Sequence, residues 1–409
     1  MKHLWIACIS LLFFPAMADF PRRALLVMYD GARADMSLSL KLKNFERLRS
    51  GEWASGYKTA YSNTTQCITD APSISGPNHA SITTGVTAAK HKVIAKGGII
   101  KGNFAEWPLA ISRIKQQKET LRIGFYHNWK EDGDFPLAPG ILRLKGNDCS
   151  NAQLAADKLR NNQLDVVQIF FGLMDGAGHT TGFYPYSKRY REQAQEADRL
   201  LGILLDALVE RSEFQNEDWL VIVCSDHGGW GRQHSSGNSH CRTTELLISG
   251  RNVTPGEIAG VPVTADIGVT LLNHFGISIP ELDGQVRGKK PWTPEPGKEK
   301  TLCFSLAPFK EQNAVWLIAS AGKTELTIRA QKEKNSTSVK VTAVLHKSGK
   351  KQVELGPYLA SATEPGGWEL SFHNNSIILT QFMSDGTFYR TSAPCIFPQE
   401  LWDAVWITK

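Results

Sequence analysis

The chain has 409 residues, an apolar fraction of 42% and a formal net charge of +6. That length exceeds one ordinary domain and suits a large α/β unit with a smaller module around a real core. The charge is mild and no long Lys/Arg block is present, which argues against nucleic acid as a structural target and suits small anionic molecules.

The first residues have the form of an export signal. Met1-Lys2-His3 supplies a positive start, Leu4 to Phe14 an apolar run, and Ala16-Met17-Ala18 a small-x-small cleavage pattern. That run is too short to span a bilayer, and no later segment is apolar for long enough to do so. Residues 1–18 are therefore expected to be removed as a signal peptide, and the mature protein to be periplasmic or secreted. Cys67, Cys149, Cys224, Cys241, Cys303 and Cys395 remain. An oxidising compartment permits disulfides among them, and Cys303 with Cys395 is the preferred pairing. Cys224 reads as a buried thiol.

Three nearly continuous apolar runs, at 24–29, 166–171 and 219–224, predict strands buried on both faces. Shorter strands are expected at 121–126 and 245–248. The clearest helical pattern covers 187–209, where Tyr190, Ala194, Ala197, Leu201, Leu204, Leu205 and Leu208 share a face and Ser187 stands at the N-cap. This alternation predicts a doubly wound, mostly parallel α/β sheet over residues 19–288. Residues 289–300, rich in Pro and charge, read as a linker. Residues 301–409 read as a smaller β-rich domain, a sandwich or open barrel, with strand-like runs at 314–318, 325–329, 338–344, 368–372 and 376–382. Trp316, Trp368, Trp402 and Trp406 there offer a stacking surface for a glycan, although such residues are more often core or interface.

Each long apolar run leads into an aspartate: Asp30, Asp175 and Asp226. The carboxyl ends of strands form the ligand crevice of an open α/β sheet. Three carboxylates at that edge repel one another unless a cation neutralises them. Aspartate is also a common turn residue at strand ends, but here histidines accompany it. Asp175-Gly-Ala-Gly-His179 places a carboxylate and an imidazole together on what reads as a tight loop, Ser225-Asp-His227-Gly-Gly places them side by side, and His234 follows. Such a set predicts a transition-metal centre, and its mixed N/O donors suit zinc, with manganese as the alternative.

Ser73-Ile-Ser75-Gly-Pro-Asn-His79 holds a nucleophile candidate. Pro77 suits the first turn of a helix that Ala80 to Thr84 continue and Gly85 ends. Ser75 would then lie at a helix N-terminus, where the dipole and free N–H groups favour an alkoxide and a bound phosphate. Taken alone, the segment reads as well as an ordinary N-cap.

In order along the chain, Asp30-Gly-Ala-Arg33, Ser75-Gly-Pro-Asn-His79 with Thr84-Gly85, Asp175-Gly-Ala-Gly-His179 with Gly182, and Ser225-Asp-His-Gly-Gly229 with His234 resemble the motifs of the alkaline phosphatase superfamily. They are most similar to those of its type I phosphodiesterase/nucleotide pyrophosphatase branch, over roughly residues 24–286. The resemblance implies two zinc ions and cleavage of phosphate esters. Asp175, His179 and His234 would hold the first ion. Asp30, Asp226, His227 and the Ser75 hydroxyl would hold the second, with Ser75 the nucleophile of a phosphoseryl intermediate. His240 competes with His234 for the last position, and the spacing to Gly250 favours His234. Ser75 stands where the branch usually has Thr. Gly76 replaces a bulkier, often aromatic neighbour that commonly stacks on a nucleotide base. Lys96 falls about where diesterase relatives carry an oxyanion-binding Asn; there it would suit a doubly charged phosphoryl group, as in a monoester or phosphonate, or be a plain loop residue. The alternatives are a sulfatase or phosphonate hydrolase of the same superfamily, although no CxPxR-type sequence surrounds Ser75, or a vestigial enzyme serving as a glycan-binding protein.

Overall fold

The computed structural model describes residues 20–62, 69, 73–235, 239–258 and 262–289 in full, and strands between 299 and 394 by their backbone alone. Eight strands form the main sheet: β1 (Arg22–Tyr29), β2 (Lys58–Tyr61), β3 (Ile123–His127), β4 (Ile141–Lys145), β5 (Val166–Phe171), β6 (Asp218–Ser225), β7 (Leu246–Gly250) and β8 (Gly256–Glu257). Their order is β4-β3-β5-β1-β6-β7-β2-β8. Every neighbouring pair is parallel except the two that β7 makes, with β6 and with β2. The expected doubly wound, mostly parallel sheet is what forms, with β7 as its reversed strand.

The composition of β1 shows why its apolar run is unbroken. Leu25, Val27 and Tyr29 enter one core, with Ala152, Ala155 and Leu159 of helix Asp148–Arg160 and with the apolar stripe of helix Lys188–Val209. Ala24, Leu26 and Met28 enter the other, with Ala80 and Ile82 of helix Ser75–Thr84 and Ile267, Leu271 and Leu272 of helix Ala265–His274. Side chains alternate across a strand, so a strand covered on both faces needs apolar residues at every position. Ser187 occupies the N-cap position of Lys188–Val209, but its hydroxyl donates to the Thr181 carbonyl at 3.1 Å and meets Thr181 Oγ1 at 2.9 Å, so it caps nothing.

Helix Ser75–Thr84 is buried along nearly its whole length and ends on Gly85, whose left-handed φ of 77° a residue with a Cβ would adopt only under strain. Beneath it His91 is held neutral. Its Nδ1 accepts from the Val93 N–H at 3.0 Å and its Nε2 faces Ser81 Oγ at 3.0 Å. Burial, with Lys92 adding, pushes this histidine down from 6.5 to about 3. A lowered base costs stability as pH falls, because only the unfolded ring takes the proton readily. Stability should fall by something on the order of 4 kcal/mol between pH 6.5 and pH 3 on this account. Urea unfolding across that range should show a smaller loss for His91→Gln than for the parent. An equal loss would remove His91 as a cause.

Between 299 and 394 the backbone forms a five-stranded sheet from residues 299–354 and a three-stranded sheet from residues 368–394, both antiparallel. The C-terminal portion is thus rich in strands, as expected. The expected signal peptide, most of the linker, Cys67, the Cys303–Cys395 pairing and the four tryptophans named above lie outside the residues described in full. Among the described residues no helix is long and apolar enough to cross a membrane.

Candidate metal and nucleophile site

The site lies at the carboxyl ends of β1, β5 and β6, the three central strands. β1 ends into Asp30, whose N–H donates to the Phe171 carbonyl at 2.8 Å and whose carbonyl accepts from the Asp175 N–H at 3.0 Å. This pins the ends of β1 and β5 together. Gly31 makes the approach possible: at φ 74°, a Cβ there would stand 2.8 Å from Asp175 Cα. The Gly31 N–H donates to Asp226 Oδ1 at 3.1 Å, which joins the third strand end to the first two.

After β5 the chain does not form the expected tight loop. Residues Leu173–Thr181 are an α-helix, and Asp175 and His179 sit one turn apart on it. The glycines of this stretch stay helical because the helix packs against Lys188–Val209, with Met174 and Ala177 in the core, which overrides their weak helix preference. The helix delivers the same pair of side chains that a loop would have.

Around Asp226 and Ser75 the contacts have the spacing of a tetrahedral ligand set. His227 Nε2 lies 3.3 Å from Asp30 Oδ1, 3.2 Å from Asp226 Oδ2 and 3.2 Å from Ser75 Oγ, and Ser75 Oγ lies 3.4 Å from Asp30 Oδ1. Zinc bonds of about 2.0–2.1 Å in tetrahedral geometry put neighbouring ligand atoms about 3.3 Å apart. Ser75 is the first residue of its helix, after Ile74 in extended conformation, and no side chain caps that end. The serine is therefore not spent as a cap, and it stands at the helix N-terminus, where the dipole favours negative charge.

A second group adjoins the first. His179 Nε2 is 3.4 Å from Asp175 Oδ1 and 3.2 Å from His234 Nε2, and His234 Nε2 is 3.7 Å from Asp175 Oδ1. Ligand atoms of Asp175, His227 and His234 fall within 4.8 Å of one another, as do those of Asp30, Asp226 and His227. His227 stands between the two groups, its ring stacked on that of His234 at 3.9 Å.

The tautomers decide what these groups can do. Each of the three histidines turns Nδ1 to a backbone carbonyl: His179 to Arg232 at 2.9 Å, His227 to Gly228 at 2.9 Å, His234 to Ser73 at 2.6 Å. A carbonyl only accepts, so each Nδ1 carries a proton, which leaves each Nε2 as the nitrogen that can present a lone pair to a metal. Two such lone pairs, on His179 and His234, face each other at 3.2 Å, an arrangement that is repulsive without a cation between them. Asp175 Oδ1 and Asp226 Oδ2 are likewise buried without a hydrogen-bond partner. The donor set therefore fits transition-metal ions such as zinc, with each imidazole oriented by its other nitrogen as metal-binding histidines usually are. Burial and then the neighbouring Asp30 carboxylate push Asp175 up to about 8, while burial and then His227 push His234 down to about 4.

The other sequence candidates separate here. His240 is exposed, its Nδ1 3.1 Å from Arg33 Nη2 and its ring stacked on Trp230 at 4.8 Å, so it is engaged away from both groups. Lys96 is exposed on a segment that follows Val93. The carbonyl of its neighbour Ala95 lies 3.3 Å from where a Cβ on Gly76 would stand, with Val93 and Ile99 close behind. The space an aromatic residue would take beside the nucleophile is thus filled by this segment. Sequence reasoning gave no role to His79 or Asp132. His79 lay inside a quoted motif, and its burial was the missing signal. Asp132 sits in a short 3-10 turn, Lys130–Asp134, that carries no pattern of its own.

Comparison with known proteins follows the same line. The family model described as type I phosphodiesterase / nucleotide pyrophosphatase matches residues 24–99 and 127–231. No curated protein matches the chain in sequence. Among solved structures, an inactive murine ectonucleotide pyrophosphatase / phosphodiesterase 5 in complex with AMP is similar at 14% identity and a TM-score of 0.50, covering 64% of this chain and 97% of that one. A 2-O GAG sulfatase is similar at 11% identity and a TM-score of 0.51, covering 80% of this chain and 85% of that one. At such identities the likeness shows the fold alone, and the family rests on the matched segments, which hold Asp30, Ser75, Asp175, His179, Asp226 and His227. Over those two segments the chain matches the type I phosphodiesterase / nucleotide pyrophosphatase family, whose motifs the sequence carries in order.

Proposed function

We propose that this protein is an exported two-zinc phosphohydrolase that cleaves phosphate esters through a phosphoseryl intermediate on Ser75. The observation that carries it is the convergence of Ser75 Oγ with two carboxylates and an imidazole at ligand spacing, beside a second carboxylate–histidine group. Asp175, His179 and His234 would hold one ion, and Asp30, Asp226, His227 and the Ser75 hydroxyl the other. When bound, the ions lower the serine's pKa and neutralise the phosphoryl oxygens. Ser75 Oγ then bonds to phosphorus in line as the bond to the leaving oxygen breaks. Water next bonds to phosphorus, the bond to Ser75 Oγ breaks, and the serine hydroxyl is restored. The helix N-terminus at Ser75 favours both the alkoxide and the phosphoryl dianion.

The substrate reading favours small anionic esters without a stacked base. The segment 93–99 fills the space beside Gly76 where branch members commonly carry an aromatic, and it brings Lys96 to the same flank as a candidate partner for a dianion. Residues 1–18 as signal peptide, 19–288 as catalytic domain, 289–300 as linker and 301–409 as a β-rich appendage complete the proposal, the last offering a surface for glycan contact. Zinc-supplemented hydrolysis of p-nitrophenyl phosphate, bis-p-nitrophenyl phosphate and p-nitrophenyl thymidine monophosphate tests it. The expected result is a preference for the monoester that weakens in Lys96→Ala. A diester preference would remove Lys96 from substrate binding. Turnover of none of the three by the zinc-loaded protein would overturn phosphohydrolysis and direct attention to sulfate or phosphonate esters.

A further inference from the structure

His79 is 1% exposed and lies behind the carboxylates of the Ser75 group. Its Nε2 is 3.5 Å from Asp30 Oδ2 and 3.3 Å from Asp226 Oδ2, and its Nδ1 is 2.7 Å from Asp132 Oδ1. Trp129 and Phe170 hold the ring from its sides, at 5.5 and 5.0 Å. The two oxygens of Asp30 thus divide their work: Oδ1 faces His227 and Ser75, and Oδ2 faces His79. Asp226 is divided likewise, with Oδ1 taken by the Gly31 N–H and Oδ2 placed between His227 and His79.

Each polar group that faces a ring nitrogen of His79 is a carboxylate, Asp132 at Nδ1 and Asp30 with Asp226 at Nε2. This sets His79 apart from His179, His227 and His234, whose Nδ1 atoms face carbonyls and whose Nε2 atoms face inward. We infer that His79, braced by Asp132, is a positioning residue that turns its Nε2 to the outer oxygens of Asp30 and Asp226 and so fixes the ligand geometry of the Ser75 metal site. Asp132 orients the ring through Nδ1 at 2.7 Å, and Trp129 and Phe170 keep it in that plane. The inference rests on the two-zinc reading above, and concerns the strength of one site, not the identity of its ligands.

The test is competitive zinc titration against a chromophoric chelator, using the full chain as parent, His79→Gln and Asp132→Asn, with thermal melts of the metal-free forms alongside. Groups that support metal ligands in this way typically change affinity about 10- to 100-fold when altered. Both variants should still bind two zinc ions at saturation, with one site weakened about 10- to 100-fold and the other unchanged. Affinities at both sites within twofold of the parent's would overturn the inference while leaving the proposed function standing. Outright loss of one zinc equivalent in His79→Gln, with Asp132→Asn matching the parent, would also overturn it, because that is the mark of a direct ligand. If His79→Gln does not fold, Asp132→Asn decides alone, since it keeps an oxygen for Nδ1 and removes only the charge. A parent that binds no zinc would sink this inference and the two-zinc reading together.

Discussion

Ser75→Ala should reduce turnover roughly a thousandfold or more, the scale on which loss of a nucleophile is felt, while leaving zinc content intact. The hydroxyl is half-buried and touches Asp30 Oδ1 and His227 Nε2, the position the proposed nucleophile requires. Its loss removes the atom that bonds to phosphorus but leaves six carboxylate and imidazole ligands in place. Nor should folding suffer much, because Ser75 caps no helix in this structure. Acid quenching of the parent during turnover should trap a phosphoryl group on the peptide holding Ser75, and the variant should yield none. Parent-like turnover by Ser75→Ala would end the nucleophile assignment.

Removal of metal should have an effect of similar size and a second readout. Chelation is expected to abolish turnover, and zinc or manganese to restore it where magnesium and calcium do not, because three imidazoles and three carboxylates form a mixed N/O set that hard cations seldom choose. The metal-free chain also keeps Asp30, Asp132 and Asp226 buried close together around His79 and His227. An ion held only by the folded state stabilises it by ~4 kcal/mol when free at a thousandfold above Kd. For a domain of this size that corresponds to a Tm shift on the order of 10 °C. Full restoration by magnesium, or an unchanged Tm on chelation, would contradict a transition-metal centre.

The sheet was legible because its physics is written locally. A strand covered on both faces admits few polar residues, so 24–29, 166–171 and 219–224 stand out from their surroundings. The amphipathic helix over 188–209 was equally visible, and each face-sharing residue named from its period is buried. Local signals misled where tertiary packing took over. The glycines around Asp175 predict a loop, yet the segment is helical, and Ser187 predicts a cap, yet its hydroxyl turns back to Thr181. The site was legible in part because its members cluster at strand ends in short motifs. What could not be read is who faces whom across the sheet edge. Asp132 comes from a turn between β3 and β4, and its pairing with His79, 53 positions away in sequence, exists only once the chain between them has folded. The division of labour between the two oxygens of Asp30 is likewise a property of two strand ends meeting the Ser75–Thr84 helix, not of any stretch of sequence.

The close fit of residues 93–99 against Gly76 has an evolutionary consequence. The nucleophile rides on a helix enclosed along nearly its whole length, where almost any change costs packing. The segment opposite it holds Ile94, Ala95, Lys96 and Gly97, all exposed. Under the proposed function, substitutions there would meet solvent on one side and incoming substrate on the other, so they would be cheap in stability and rich in effect on selectivity. Lineages descending from this chain can thus explore new esters by drifting through a handful of surface positions, while the reactive core is inherited unaltered.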